Sequence, residues 1–125
     1  LHEYVNKRQQ IALKYFKELK NSTYKLPTIA KNNKHAFYVF VVEHKKRDEV
    51  MKELSRRGIN LNISYPFPIH SMLALDELAV RYELPNTDNA AKCIFSLPMY
   101  PNLSIEKQEL VIKSLLEIDN KLKDD

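Results

Sequence analysis

Apolar side chains at Leu1, Tyr4, Val5, Ile11, Ala12, Tyr15, Phe16 and Leu19 return every three to four positions. That period predicts an amphipathic helix of about 20 residues, roughly 30 Å long. The polar run Asn21 to Lys34, interrupted by Pro27, reads as a loop. Ala36 to Val42 is dense in β-branched and aromatic residues and predicts a strand, with Phe37 and Val39 on one face and Tyr38 and Phe40 on the other. A helix follows over 46–57, with Val50, Met51 and Leu54 inward, and Gly58 stands where a left-handed residue ends a helix. Ile59, Leu61 and Ile63 alternate with Asn60 and Asn62, the pattern of a half-buried strand. Next come a helix over Ser71 to Tyr82, a turn at Pro85 to Asn89 leading into a short helical segment through Ala91, and a strand over Lys92 to Ser96. Ser104 caps a last helix that buries Val111, Leu115, Ile118 and Leu122.

This alternation of helix and strand predicts an α/β (α+β) fold, a small sheet of roughly three or four strands with helices mainly against one face. The strand–helix–strand unit over residues 36–63 is expected to be a right-handed parallel crossover. No Ser, Thr, Asp or Asn precedes the first helix as a cap, so the helix is expected to continue upstream and the chain to be the C-terminal part of a larger protein.

Composition narrows the functional classes. A chain of 125 residues supports one core. Its net charge of +4 comes from 20 basic and 16 acidic residues whose signs interleave, as in Lys45-Lys46-Arg47-Asp48-Glu49, which is the pattern of a solvated face and not of a nucleic-acid stripe. Gly58 is the only glycine, which excludes the Gly-rich loops that cradle phosphates. The single cysteine, Cys93, excludes an internal disulfide and a cysteine-rich metal site, and fits a reducing cytoplasm. No apolar run approaches membrane-spanning length, and Leu1-His2-Glu3-Tyr4 lacks the make-up of a secretion signal.

Two proline-bracketed stretches carry the chemistry: Ser64-Tyr65-Pro66-Phe67-Pro68-Ile69-His70 and Phe95-Ser96-Leu97-Pro98-Met99-Tyr100-Pro101. Proline fixes its own φ and extends the residue before it, so these segments hold side chains at set positions without regular structure. His70 is a candidate hydrogen-bonding group for a substrate or phosphate; the alternative is a capping or solvent-facing histidine. Tyr65 is a candidate to offer its hydroxyl to a ligand hydroxyl, against the commoner case of an aromatic packed under the loop with its O–H bonded to backbone; Tyr100 faces the same choice, with packing favoured. Phe37, Tyr38 and Phe40 make a conceivable stacking platform for bases, with core packing favoured. His2, His35 and His44 show no metal spacing, Cys93 reads as a small buried residue, and no pair of carboxylates suggests glycosidase chemistry. The chain therefore has substrate-lining loops and no complete catalytic set.

Five segments in order carry a resemblance: Asn6-Lys7-Arg8-Gln9-Gln10-Ile11-Ala12, Arg47-Asp48-Glu49-Val50 with Gly58-Ile59, Tyr65-Pro66-Phe67-Pro68-Ile69-His70, Leu84-Pro85-Asn86-Thr87 and Leu97-Pro98-Met99-Tyr100-Pro101. Together they resemble the C-terminal domain of the DegT/DnrJ/EryC1/StrS aminotransferases. The resemblance implies the small domain of an aspartate-aminotransferase-type (fold type I) enzyme, with residues 1–21 as the inter-domain helix. It implies pyridoxal 5′-phosphate as cofactor, held as an imine by a lysine in a large domain outside this chain, and no covalent cofactor here. It further implies transfer of an amino group from glutamate to a keto-sugar nucleotide in surface glycan or deoxysugar biosynthesis, by a cytoplasmic homodimer with no nucleic-acid or membrane partner. Tyr65 and His70 match the family's loop and are implied to lie near substrate. Ser64, Met72, Leu75 and Tyr38 depart from the family's histidine, glutamine, aromatic and histidine, which bears on the sugar recognised. A non-catalytic or regulatory relative is the alternative, and a free-standing basic RNA-binding module a more distant one.

Overall fold

The computed structural model describes residues 2–72 and 83–123. Most of the helix expected over Ser71 to Tyr82 lies outside them; Ser71 itself closes a short 3-10 turn, Ile69–Ser71. Four helices and two strands are described: α1 His2–Leu19, β1 Phe40–Glu43, α2 Arg47–Arg56, α3 Pro85–Cys93, β2 Ile94–Leu97 and α4 Ile105–Lys123.

The helix ends obey their sequence signals. The Ser104 hydroxyl accepts a hydrogen bond from the Lys107 amide at 3.3 Å and so caps α4. At the end of α2, Gly58 has φ +77°, its amide bonds to Ser55 O at 2.9 Å, and the Ile59 amide returns to Leu54 O at 2.9 Å. That paired closure needs a left-handed residue, which glycine adopts without penalty. Pro85 occupies the first turn of α3, where its missing N–H costs nothing.

β1 and β2 pair antiparallel, with Phe40 opposite Leu97 and Val41 opposite Ser96. Single antiparallel bridges widen the sheet on both sides, Lys25 to Glu43 and Asn62 to Ser96. β1 and the segment around Asn62 therefore run parallel, as expected of the strand–helix–strand unit, with β2 between them and antiparallel to both. The expected strand over Ile59 to Ile63 keeps its alternation, with Ile59 buried and Asn60 and Asn62 exposed, but pairs at one bridge only. The strand expected over Ala36 to Val42 starts at Phe40 instead. Phe37 has φ +48°, a left-handed turn that breaks the extended chain and drops its ring into the core against Phe16 and Phe40, each at 6.0 Å between centroids. Tyr38 is thereby thrown outward. Cys93 closes α3 and is only half-buried, not mid-strand as its neighbours suggested.

The core lies on one side of the sheet. Phe40 and Val42 from β1, and Phe95 and Leu97 from β2, face Ile11, Ala12, Tyr15 and Leu19 of α1 and Val111, Leu115 and Ile118 of α4, with Val50 and Leu54 of α2 alongside. Each fully buried large side chain contributes about 1.5–3 kcal/mol. Three polar side chains at the seams are paired. Tyr15 donates to Pro98 O at 2.9 Å, Gln108 Nε2 to Ile11 O at 2.8 Å, and Tyr24 to Leu115 O at 3.0 Å. Burial raises the phenol pKa of Tyr15 and Tyr24, so both remain neutral donors.

Candidate functional site

The opposite face of the sheet floors a groove. Val41 of β1 and Ile94 and Ser96 of β2 point away from the helices and are only half-buried, as the two-residue period requires. Tyr38 rises at one side, and the first proline stretch, through Ile63, Ser64 and Tyr65, forms the other. The enclosed space is about 530 Å³, within the usual range for a small-molecule site, and its lining is apolar apart from Asn62, Ser64, Ser96 and the tyrosine hydroxyls.

The proline stretch holds its apolar side chains out. Tyr65 is 82% exposed, Phe67 66% and Ile69 72%. Pro66 and Pro68 stiffen the backbone, and the Ser71 hydroxyl and amide both bond to Pro68 O, at 2.9 and 3.0 Å, closing the turn that carries His70. Rigid, outward-pointing aromatics are costly to leave in water.

Of the two residues singled out from sequence, the structure takes Tyr65 to the groove wall and His70 elsewhere. His70 is not among the groove-lining residues. Its side chain is 19% exposed and its Nε2 lies 2.9 Å from Asp88 Oδ1 on α3. Sequence reading missed Asp88, which looked like an ordinary turn residue eighteen positions downstream. It also missed Tyr38 as a groove residue, because a regular strand would have sent Tyr38 to the same face as Phe40. Tyr100 is half packed, 43% exposed, and borders a second groove on the other side of Asn62 and Ser96.

A separate polar cluster is structural. His44, buried, accepts the Lys46 amide at Nδ1 (3.1 Å), so Nε2 carries the proton and donates to Thr23 Oγ1 at 3.0 Å. The Thr23 hydroxyl in turn donates to Asp119, which Lys123 also pairs at 2.6 Å. Burial pushes the His44 pKa below its ordinary value. Burial works to raise Asp119, yet hydrogen bonds from Lys123 and Thr23 outweigh it and hold the carboxyl below its usual range. Among the described residues, no three His, Cys, Asp or Glu side chains gather as metal ligands, and no helix is long and apolar enough to cross a membrane.

Residues 1–116 match the DegT/DnrJ/EryC1/StrS aminotransferase family. The chain belongs to that family. It is 43% identical over 125 residues to the dTDP-3-amino-3,4,6-trideoxy-alpha-D-glucose transaminase of Micromonospora megalomicea subsp. nigra, covering 94% of this chain and 33% of that protein. A pleiotropic regulatory protein of Geobacillus stearothermophilus is 34% identical over 84 residues, 66% of this chain and 23% of that one. Among solved structures, S. venezuelae DesV superimposes with a TM-score of 0.88 at 28% identity over 93% of this chain and 32% of DesV. The chain thus spans about a third of the transaminase and of DesV. Its helices and small antiparallel sheet are the fold of a part of the sugar aminotransferases.

The lining of this groove does not by itself fit the family's cofactor. An imine needs an amine inside the site and a phosphate needs cations or free backbone amides. The groove is lined by neither lysine nor arginine. Lys7, Lys14, Lys25, Lys121 and Lys123 are instead engaged with carboxylates.

Proposed function

We propose that this chain is the C-terminal small domain of a pyridoxal-phosphate aminotransferase that moves an amino group, from glutamate, onto a keto-sugar nucleotide in surface glycan or deoxysugar biosynthesis. Residues 1–21 are the helix that joins it to a large domain, and that domain supplies the Schiff-base lysine and the cofactor contacts. The observation that carries this reading is the outward-facing stretch Tyr65 to Ile69, rigid and apolar, in a chain a third the length of its transaminase relative. Such a surface is built to be covered. The cofactor supplies the electronic chemistry when bound; this domain's own residues orient the sugar and exclude water. Tyr65 presents a hydroxyl and an aromatic face from the groove wall, and His70 presents a ring nitrogen from the end of the same loop. The whole protein works as a cytoplasmic homodimer.

Assay of the full-length protein with glutamate and a panel of dTDP- and UDP-linked keto-sugars tests the reading. Amino-sugar product from at least one is expected, and no turnover with any, despite bound cofactor, would contradict it. The likeness to a regulatory protein favours a second reading, in which the fold is kept without amino transfer. A full-length protein that binds no pyridoxal phosphate would support that reading.

A further inference from the structure

The contact between His70 and Asp88 decides which face of the imidazole is left for a ligand. An ionised carboxylate only accepts hydrogen bonds, so Nε2, at 2.9 Å from Asp88 Oδ1, carries a proton and donates it. Nδ1 forms no hydrogen bond to any described residue. In the neutral ring that nitrogen is an acceptor, which suits a hydroxyl donor and not a phosphate oxygen.

Asp88 is well placed to impose this. It belongs to α3, whose first turn is set by Pro85. The other end of α3 is clamped by Arg47, at the start of α2: Nη1 donates to Ala91 O at 2.6 Å and to Ile94 O at 3.3 Å. The Arg47 side chain is largely buried, so the clamp is shielded from water. Asp88 thus stands on a helix tied to the core, whereas His70 stands on a loop whose neighbours Ile69 and Ser71 are exposed. A charge-assisted hydrogen bond between them passes the rigidity of the helix to the loop.

We propose that Asp88 is a positioning residue for sugar recognition. It holds His70 as a donor through Nε2 and leaves Nδ1 to accept a hydrogen bond from a substrate hydroxyl. This rests on the reading of the Tyr65 to His70 loop as substrate-facing. The relation resembles that of a ring nitrogen fixed by a carboxylate on its far side, where the partner sets the ring's orientation.

The test uses the full-length protein, with Asp88→Ala, Asp88→Glu and His70→Gln. Nitrogen-15 histidine labelling reads the ring protons by NMR, and steady-state kinetics with varied sugar nucleotide separates KM from kcat. The wild type is expected to show a protected His70 Nε2–H signal that disappears in Asp88→Ala and returns in Asp88→Glu. Asp88→Ala should raise KM about 10-fold with kcat within about 3-fold, and Asp88→Glu should recover most of that loss. A protected proton on Nδ1 in the wild type overturns the proposal. So does a KM that responds to His70→Gln and ignores Asp88→Ala. A KM unmoved by His70→Gln overturns the substrate-facing reading itself, whereas the proton signal tests the Asp88–His70 pairing independently of it.

Discussion

The two proline-bracketed stretches begin from the same local rules and meet opposite fates. Phe95 to Pro101 leaves β2 with Phe95 1% exposed and Leu97 buried, and its Pro98 carbonyl is bonded by the Tyr15 hydroxyl. Ser64 to His70 leaves the Asn62 bridge with Tyr65, Phe67 and Ile69 in solvent. Proline stiffens both backbones equally. What differs is the partner: the second stretch packs against α1 and the core, whereas the first meets a described helix at its end, where His70 pairs with Asp88 of α3. Stiffness therefore serves packing in one place and presentation in the other, and only the tertiary neighbours distinguish the two.

The strongest way to break that comparison is to truncate one aromatic in each stretch. Phe95→Ala is expected to cost about 3–5 kcal/mol of stability, through lost burial and a cavity, measured by denaturant unfolding. Near-equal losses for Phe95→Ala and Tyr65→Ala would erase the distinction. Tyr15→Phe is a finer probe, since it removes only the hydroxyl that ties Pro98 to α1; about 1 kcal/mol should go, with the fold intact by circular dichroism.

Acid sharpens the contrast from the packed side. The folded-state pKa of His44 lies below its unfolded value of about 6.5, so the unfolded chain takes up the proton first. Stability is therefore full above that value and falls as pH drops below it toward the folded pKa. Asp119 adds a second loss further down: its folded pKa is depressed, so its contribution is present above about 3.9 and disappears as pH falls through the folded value. Melting temperature against pH should show the first decline, and His44→Gln should flatten it while leaving the more acidic one. The smallest effect is expected at Tyr65→Ala, within about 0.5 kcal/mol of wild-type stability, because that side chain buries almost nothing in this chain. Its loss should appear instead as a raised KM for the sugar nucleotide.

Helix ends and faces were legible because their signals are local. Ser104, Gly58, Pro85 and the stripe from Val111 to Ile118 each act within a turn of their own position. The sheet was harder to read. Phe37 carries strong strand propensity, yet its ring gains more from the core than the extended backbone gains from pairing, so the chain turns and β1 starts at Phe40 and not at Ala36. Tyr38 went to the groove by the same turn. At the site, proline chemistry made the first loop stiff but left Tyr65 between packing and presentation, and its exposure is set by the tertiary surroundings; the partner of His70 had no local signal at all, since Asp88 is brought to it by the return of the chain through α3. The interleaved charges were read as surface, but Arg47, in the very run that carried that reading, is largely buried against the end of α3, and Asp119 is buried where Thr23 and Lys123 converge on it.

The most direct measurement is borohydride reduction of the full-length protein followed by peptide mapping of the lysine that retains pyridoxal phosphate. The account predicts a single modified lysine outside these 125 residues, and no modification of this chain when it is treated alone. Cofactor fixed to any lysine between Lys7 and Lys123 would contradict it.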